Sequence, residues 1–281
     1  MIRNPFDEIK ENISKKIPSK LIDKIPKKWE KIGNVLILKL PDELDNYKKE
    51  ISVIYAKILK CKSVLNDYGG IDGIYRTPKV ELIFGSENTE TIHFENGIKY
   101  KLDPRKIMFS SGNMHERLRM TNISNQNEII VDLFSGIGYF SLPIAVYSKP
   151  KKIFSCEINP ISYSYLCKNI VLNHVTSIIE PLLGDNKKTS PANIANRVIL
   201  GYFRETKNYL PTAFNCLKNK SGVIHYHDIF PNEKVPNYPS KIIKDIAKKH
   251  NIEIKCLKYI NVKSYAPGVS HYVFDIQVGE K

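Results

Sequence analysis

Residues Val131 to Pro143 read VDLFSGIGYFSLP, and no other stretch of the chain restricts its possible folds as tightly. Ile129, Ile130, Val131, Leu133 and Phe134 make the short apolar run of a central parallel strand, with Asp132 where such a strand ends. Ser135, Gly136, Ile137 and Gly138 then predict a tight turn into a helix. Lacking Cβ atoms, the two glycines take positive φ at no steric cost and let the backbone come close to a ligand. The helix that follows offers free N–H groups to a carboxylate or phosphate. That is the geometry of a nucleotide-cofactor cradle, although a G-x-G turn also occurs as a bare strand-to-helix connection.

Two further acids favour the cradle. Lys151 to Asn159, KKIFSCEIN, predicts a second strand over Ile153, Phe154 and Ser155, closed by Glu157. This lies at roughly the distance beyond the glycine loop expected of a carboxylate that accepts ribose hydroxyls. Ser177 to Leu183 predicts a third strand, and Gly184, Asp185 and Asn186 follow it at once, an acceptor and an amide where an adenine amino group and ring would lie. Three polar strand ends in successive βα units mark the carboxyl edge of one sheet, where open α/β folds bind ligands. With only two glycines, no room for a pyrophosphate and no Walker lysine, the pattern resembles class I S-adenosylmethionine (AdoMet) enzymes rather than dinucleotide dehydrogenases.

The chain divides near residue 105. Over 1–105 an apolar strand from Gly33 to Lys39 leads through Pro41 into an amphipathic helix carrying Leu44, Tyr47, Ile51, Ile54, Tyr55 and Ile58. Segments around Ser63–Leu65, Val80–Phe84, Thr91–Phe94 and Ile98–Leu102 read as strands of one small mixed sheet. This is an α+β domain. Over 106–281 strands and helices alternate: strands ending at Asp132, Glu157, Leu183 and Leu200, helices from about Tyr139, over Ile161–Leu172, near Tyr209–Leu217 and over Pro239–His250. Strands at Gly222–His227, Ile252–Tyr259 and His271–Val278 follow, with Lys263–Val269 (KSYAPGV) as the turn of a closing hairpin. The expected class is α/β, a Rossmann-like AdoMet-dependent transferase sheet with a smaller N-terminal α+β domain.

Phe109 to Met120 reads FSSGNMHERLRM. Together with Asp103, the GIGYFSLP loop, Gly201-Tyr202 and the YAPGV turn, it resembles the archaeal and eukaryotic tRNA wybutosine-synthesizing protein 2 family, relatives of the tRNA guanine-37 N1-methyltransferases. The resemblance covers nearly the whole chain. It implies transfer of the 3-amino-3-carboxypropyl group of AdoMet to C7 of 4-demethylwyosine at position 37 of tRNA(Phe), with the anticodon stem-loop as partner. By the family pattern the AdoMet contacts fall on Ser110, Arg117, Glu157, Asp185 and Asn186, above the loop of Asp132 and Gly136. Arg117 is a permanently charged planar fork suited to the carboxylate of the methionine arm, and Ser110 a small donor. The competing roles for Arg117 are a surface salt bridge with Glu116 and a contact to RNA phosphate; His115 reads as solvated.

Three carbons are bonded to a sulfonium sulfur, and the one in line with the nucleophile reacts, so orientation selects the product. The acceptor is an electron-rich ring carbon, and the remaining need is a weak base, for which Glu116 and Asp132 are candidates. The methylating relatives carry an N-[PL]-P pattern after the fourth strand. Here Arg197 to Arg204 reads RVILGYFR, with Gly201 and Tyr202 in place of asparagine and proline. Tyr202 is a candidate to stack on the tricyclic base, or else a buried tyrosine at a strand end. Alternative readings are a methyltransferase acting on guanosine-37 or on the wyosine precursor, and a non-catalytic tRNA-binding protein.

Lys and Arg outnumber Asp and Glu by 43 to 29, a formal charge of +14. Such a balance fits nucleic acid, an anionic membrane surface or a lysine-rich genome. No window approaches a transmembrane helix, and the N-terminus lacks the apolar core of a signal peptide. Cys61, Cys156, Cys167, Cys216 and Cys256 never fall in C-x-x-C spacing, so no metal and no disulfide framework is expected, most of the cysteines being buried small hydrophobes. The expected protein is cytoplasmic and monomeric.

Overall fold

The computed structural model describes residues 4–279 and separates into two compact units, the first ending at Ser111 and the second beginning at Gly112. The division falls past residue 105 because Phe109 packs edge-on against Tyr100 and His93, with centroids 5.5 and 4.7 Å away.

The first unit opens with a helix the sequence reading did not anticipate, α1 (Pro5–Ser14). Asn4 caps it by accepting the Phe6 N–H at 3.0 Å, Pro5 starts it, and Ile9 and Ile13, one turn apart, are fully buried. Strands β1 (Glu30–Ile32) and β2 (Val35–Leu38) form a hairpin, and α2 (Lys48–Leu59) leads into β3 (Ser63–Asp72), which pairs parallel to β2 and antiparallel to β4 (Thr77–Gly85). Leu44 sits in a 3-10 turn, Asp42–Tyr47, ahead of α2 rather than in it. Leu36, Leu38, Leu44, Ile51 and Tyr55 close over Ile9 and Ile13. The expected single sheet is two: β5 (Thr91–Glu95) and β6 (Ile98–Leu102) pair only with each other.

The first helix of the second unit is α3 (Met114–Met120), which takes up the second half of the FSSGN-x-x-ER-x-R segment, residues 109–111 closing the first unit. Then come β7 (Ile129–Asp132), α4 (Ser141–Tyr147), β8 (Lys152–Glu157), α5 (Pro160–Leu172), β9 (Ile179–Leu183), α6 (Asn186–Thr189), β10 (Arg197–Leu200), α7 (Leu210–Cys216), β11 (Gly222–Pro231), α8 (Asn237–Lys249), β12 (Ile254–Ala266) and β13 (Val269–Val278). The seven strands order as β12-β13-β11-β10-β7-β8-β9, parallel from β9 to β11, with β13 antiparallel to both neighbours. The chain winds outward from β7 to β9, then returns to place β10 on the other side of β7. Connections after β7 and β10 therefore diverge and open a crevice at their carboxyl ends, the usual ligand position in open α/β sheets.

Central strands covered on both faces must be apolar. Val131, Leu133, Val198, Leu200, Ile224, Tyr226, Phe274 and Ile276 make one continuous core under α7 and α8. Burying a ring the size of Phe274 stabilises by about 2 kcal/mol. The closing hairpin differs from expectation: β12 runs through Ala266, so only Pro267 and Gly268 turn, with Gly268 at φ 72°. Strand β11 likewise continues beyond His227 to Pro231.

Candidate active site

Asp132 ends β7 fully buried. Its Oδ2 accepts from Ser141 Oγ at 2.7 Å and its Oδ1 from the Phe134 N–H at 3.2 Å, while Ser155 Oγ donates to Ser141 Oγ at 2.8 Å. One carboxylate thus ties the strand end, the first helical turn of α4 and strand β8 together. Burial pushes its pKa up to about 6, against the hydrogen bonds that favour the ionised form.

The glycines work as their type predicts. Gly136 has φ 58° and Gly138 φ 101°, and a Cβ on Gly138 would lie 2.7 Å from Leu142 Cγ. Glu157, at the end of β8, accepts the Gly136 N–H at 2.8 Å through Oε2 and the Asn159 N–H at 2.7 Å through Oε1. It holds the loop rather than standing clear of it, and burial raises its pKa. Asn169 on α5 supports the same loop, donating from Nδ2 to the Ile137 carbonyl at 3.1 Å.

Asp185 caps the short α6 by accepting the Lys187 N–H at 3.0 Å. Asn186 is buried, and its Nδ2 donates to the Leu133 carbonyl at 2.7 Å, reaching from the third strand end to the first. Its Oδ1 has no hydrogen-bond partner among the described residues. A buried acceptor left over is costly unless a ligand donor meets it. Beside it Phe134 stacks on Tyr202, centroids 4.8 Å apart and 12° from parallel, and Tyr209 packs edge-on to both. Tyr202 is half-buried in an aromatic wall, not enclosed at a strand end.

Asp132, Gly136, Glu157, Asp185 and Asn186 thus meet at one sheet edge. Arg117 lies in the same unit on α3 and is buried, which excludes a surface salt bridge. Ser110 belongs to the first unit. Glu116 pairs with Arg119 at 2.7 Å, and Arg119 also reaches Asp275 at 2.9 Å. Desolvation raises the Glu116 pKa. His225 extends this buried array, its Nδ1 lying 2.5 Å from Asp275 Oδ1 and its Nε2 2.8 Å from Arg197 Nη1. Burial lowers the pKa of His225, keeping the ring neutral. Neither Glu116 nor Asp132, the two candidate bases, has a side chain open to solvent. Asp132 is tied to Ser141, and Glu116 to Arg119.

Sequence reasoning gave no role to Ser141, Ser155 and Arg119, although each lies inside a stretch it singled out, and it missed Asn169, Asp228 and Asp275, single polar residues inside α5, β11 and β13 with no motif to flag them. Among the described residues no group of three or more His, Cys, Asp or Glu side chains is placed to hold a metal, and no helix is long and apolar enough to cross a membrane. Of the five free cysteines only Cys156 and Cys216 are fully buried, since Cys61, Cys167 and Cys256 sit on partly exposed faces.

The polar set fits a positively charged adenosyl ligand: one buried carboxylate, Asp132, two half-buried ones, Glu157 and Asp185, a glycine loop, an unused amide acceptor and an aromatic wall. A family model described as the TRM5/TYW2 methyltransferase domain matches residues 91–255, and one described as the TYW2 N-terminal domain matches residues 9–89. The chain is 42% identical, over 96% of both sequences, to the tRNA(Phe) (4-demethylwyosine(37)-C(7)) aminocarboxypropyltransferase of Pyrococcus horikoshii. Its fold superposes on P. horikoshii TYW2 in complex with MeSAdo with a TM-score of 0.87, at 40% identity over 98% of this chain and 99% of that one. M. jannaschii TYW2 in complex with AdoMet gives a TM-score of 0.75, at 37% identity over 90% of this chain and 100% of that one. Fold and site define a class I AdoMet-dependent transferase. Within that class the chain belongs to the TRM5/TYW2 family, on the branch of the tRNA(Phe) 4-demethylwyosine aminocarboxypropyltransferases.

Proposed function

We propose that this enzyme transfers the 3-amino-3-carboxypropyl group of AdoMet to C7 of 4-demethylwyosine at position 37 of tRNA(Phe). The observation that carries this reading is identity of 42% to an enzyme of that name along almost the entire chain. The Gly201-Tyr202 pair at the end of β10, where the methylating branch resembles N-[PL]-P, supports it.

AdoMet supplies a sulfonium whose attached carbons become electrophilic. The chain's own residues decide which carbon is presented. Glu157 and Asp185 hold the adenosyl half, with the Asn186 Oδ1 as an acceptor and the Gly136 turn beneath. Arg117 holds the methionine arm, so that its γ-carbon rather than the methyl faces the acceptor ring. Tyr202, supported by Phe134, offers its ring to the flat tricyclic base. Asp132 and Glu116 maintain the cradle and α3. The formal charge of +14 supports a polyanionic partner. The anticodon stem-loop is the part of tRNA that presents residue 37, the active form is the monomer, and the five free cysteines fit the reducing cytoplasm.

Incubation with tRNA carrying the wyosine precursor, using AdoMet labelled separately in its methyl and carboxyl carbons, tests the reaction. Carboxyl label should enter the tRNA; methyl label there would instead establish methylation.

A further inference from the structure

Arg204 stands at the end of the loop that follows β10, just beyond Tyr202 and Phe203. Its backbone has φ 76°, a left-handed conformation that residues with side chains avoid unless the surroundings impose it. The imposing group is Asp228. This buried carboxylate on β11 accepts the Arg204 N–H at 2.6 Å and the Ile229 N–H at 2.9 Å through Oδ1, and the Tyr226 hydroxyl at 3.0 Å through Oδ2. Thr206 Oγ1 closes the loop by donating to the Tyr202 carbonyl at 2.9 Å.

Strain held this firmly fixes where the Arg204 side chain leaves the surface. The residue is exposed, and among the described residues its guanidinium forms no ion pair with a carboxylate. Its polar contact is the Tyr265 hydroxyl, 3.4 Å from Nη2. The neighbouring Glu205 is engaged with Asn208 Nδ2 at 2.7 Å. Tyr265 is itself 45% exposed, and its ring meets that of Phe203 edge-on at 6.5 Å. A fixed, charged planar fork beside an exposed aromatic ring matches a phosphate with its attached base. An exposed arginine of this kind contributes little to stability.

We propose that Arg204, seated by Asp228, binds the tRNA backbone phosphate adjacent to the target nucleotide, and that Tyr265 receives the neighbouring base. This rests on the reading of tRNA as substrate. Arg204 and Tyr265 are substrate contacts, and Asp228 is a positioning residue.

The test is binding of precursor tRNA at several salt concentrations, with transfer by the unaltered enzyme measured alongside. Arg204→Ala should weaken tRNA binding about tenfold and lower the slope of log affinity against log salt by about 0.7, one lost single-strand phosphate contact. AdoMet affinity should not change. Asp228→Ala should reproduce both effects, and Asp228→Asn, which keeps an oxygen for the Arg204 N–H, should restore most of the affinity. Anticodon stem-loops with single neutral methylphosphonates next to residue 37 give a measurement on the unaltered protein. One such substitution should cost the native enzyme what Arg204→Ala costs, and cost the variant nothing more. An unchanged salt slope in Arg204→Ala, or equal losses for native and variant at every neutralised phosphate, overturns the proposal. Failure of the unaltered enzyme to transfer any group would instead count against the proposed reaction.

Discussion

Glu157 and Gly136 are joined by a 2.8 Å hydrogen bond in which the glycine N–H donates to the carboxylate, so the acid that ends β8 also shapes the loop that follows β7. The other carboxylate oxygen takes the Asn159 N–H at 2.7 Å. Glu157→Gln leaves one oxygen for two N–H donors and sets an NH2 group against one of them. AdoMet affinity should fall by about tenfold or more, read by titration calorimetry. An unchanged affinity would remove Glu157 from the cradle.

Asp132 should make stability depend on pH. Its pKa of about 6 lies above the ordinary value of 3.8, so the folded state holds this proton more tightly than the unfolded state does. Stability contributed by the neutral acid is therefore full below about pH 4 and is lost as pH rises through about 6. An asparagine cannot ionise. Asp132→Asn should gain on the native enzyme in urea melts over this window, by about 1 to 3 kcal/mol, even as it weakens AdoMet binding. A stability difference independent of pH would contradict the assignment.

Arg119 is shared by two buried carboxylates, Glu116 and Asp275. Arg119→Ala leaves both in a poorly solvated site and should cost about 3 to 5 kcal/mol, measured by urea unfolding at neutral pH. A cost below about 1 kcal/mol would mean that the array is no stronger than a surface pair.

Tyr202 can be probed by two substitutions with opposite expectations. Tyr202→Phe keeps the ring on Phe134 and should leave kcat/KM for tRNA within about threefold, whereas Tyr202→Ala should lower it about tenfold through lost stacking. Equal losses in both variants would assign the effect to the hydroxyl.

The alternation of strands and helices in the second unit was readable because β7 and β8 end in Asp132 and Glu157, Gly184 and Asp185 follow β9 at once, and each strand has an apolar stretch, whereas the spatial order of the strands was not. The full lengths of β11 and β12 were not readable. In β11 the register carries His225, His227 and Asp228 into the interior, where titratable groups break the apolar pattern, and most of β12 beyond Tyr259 is exposed or half-buried and has no apolar run to mark it. Helix α1 had a usable signal, Asn4 before Pro5 with Ile9 and Ile13 one turn apart. The paired strands β5 and β6 looked like the rest of their sheet because a hairpin's local pattern does not say which third strand it joins.

The sequence by itself determined a strand, a glycine turn and a helix at Val131 to Pro143, the acids at the next two strand ends, and the segment before them that marks the family. These are local properties: steric freedom at glycine, apolar periodicity, and residue type at a strand end. Only the tertiary structure decided what the polar groups do. Ser141 closes on Asp132, Asp228 seats Arg204, and Arg119 meets Asp275 from 156 positions away. Such pairs depend on sheet register and on the desolvation that makes an unpartnered polar group costly, and neither is written in the spacing of residues along the chain.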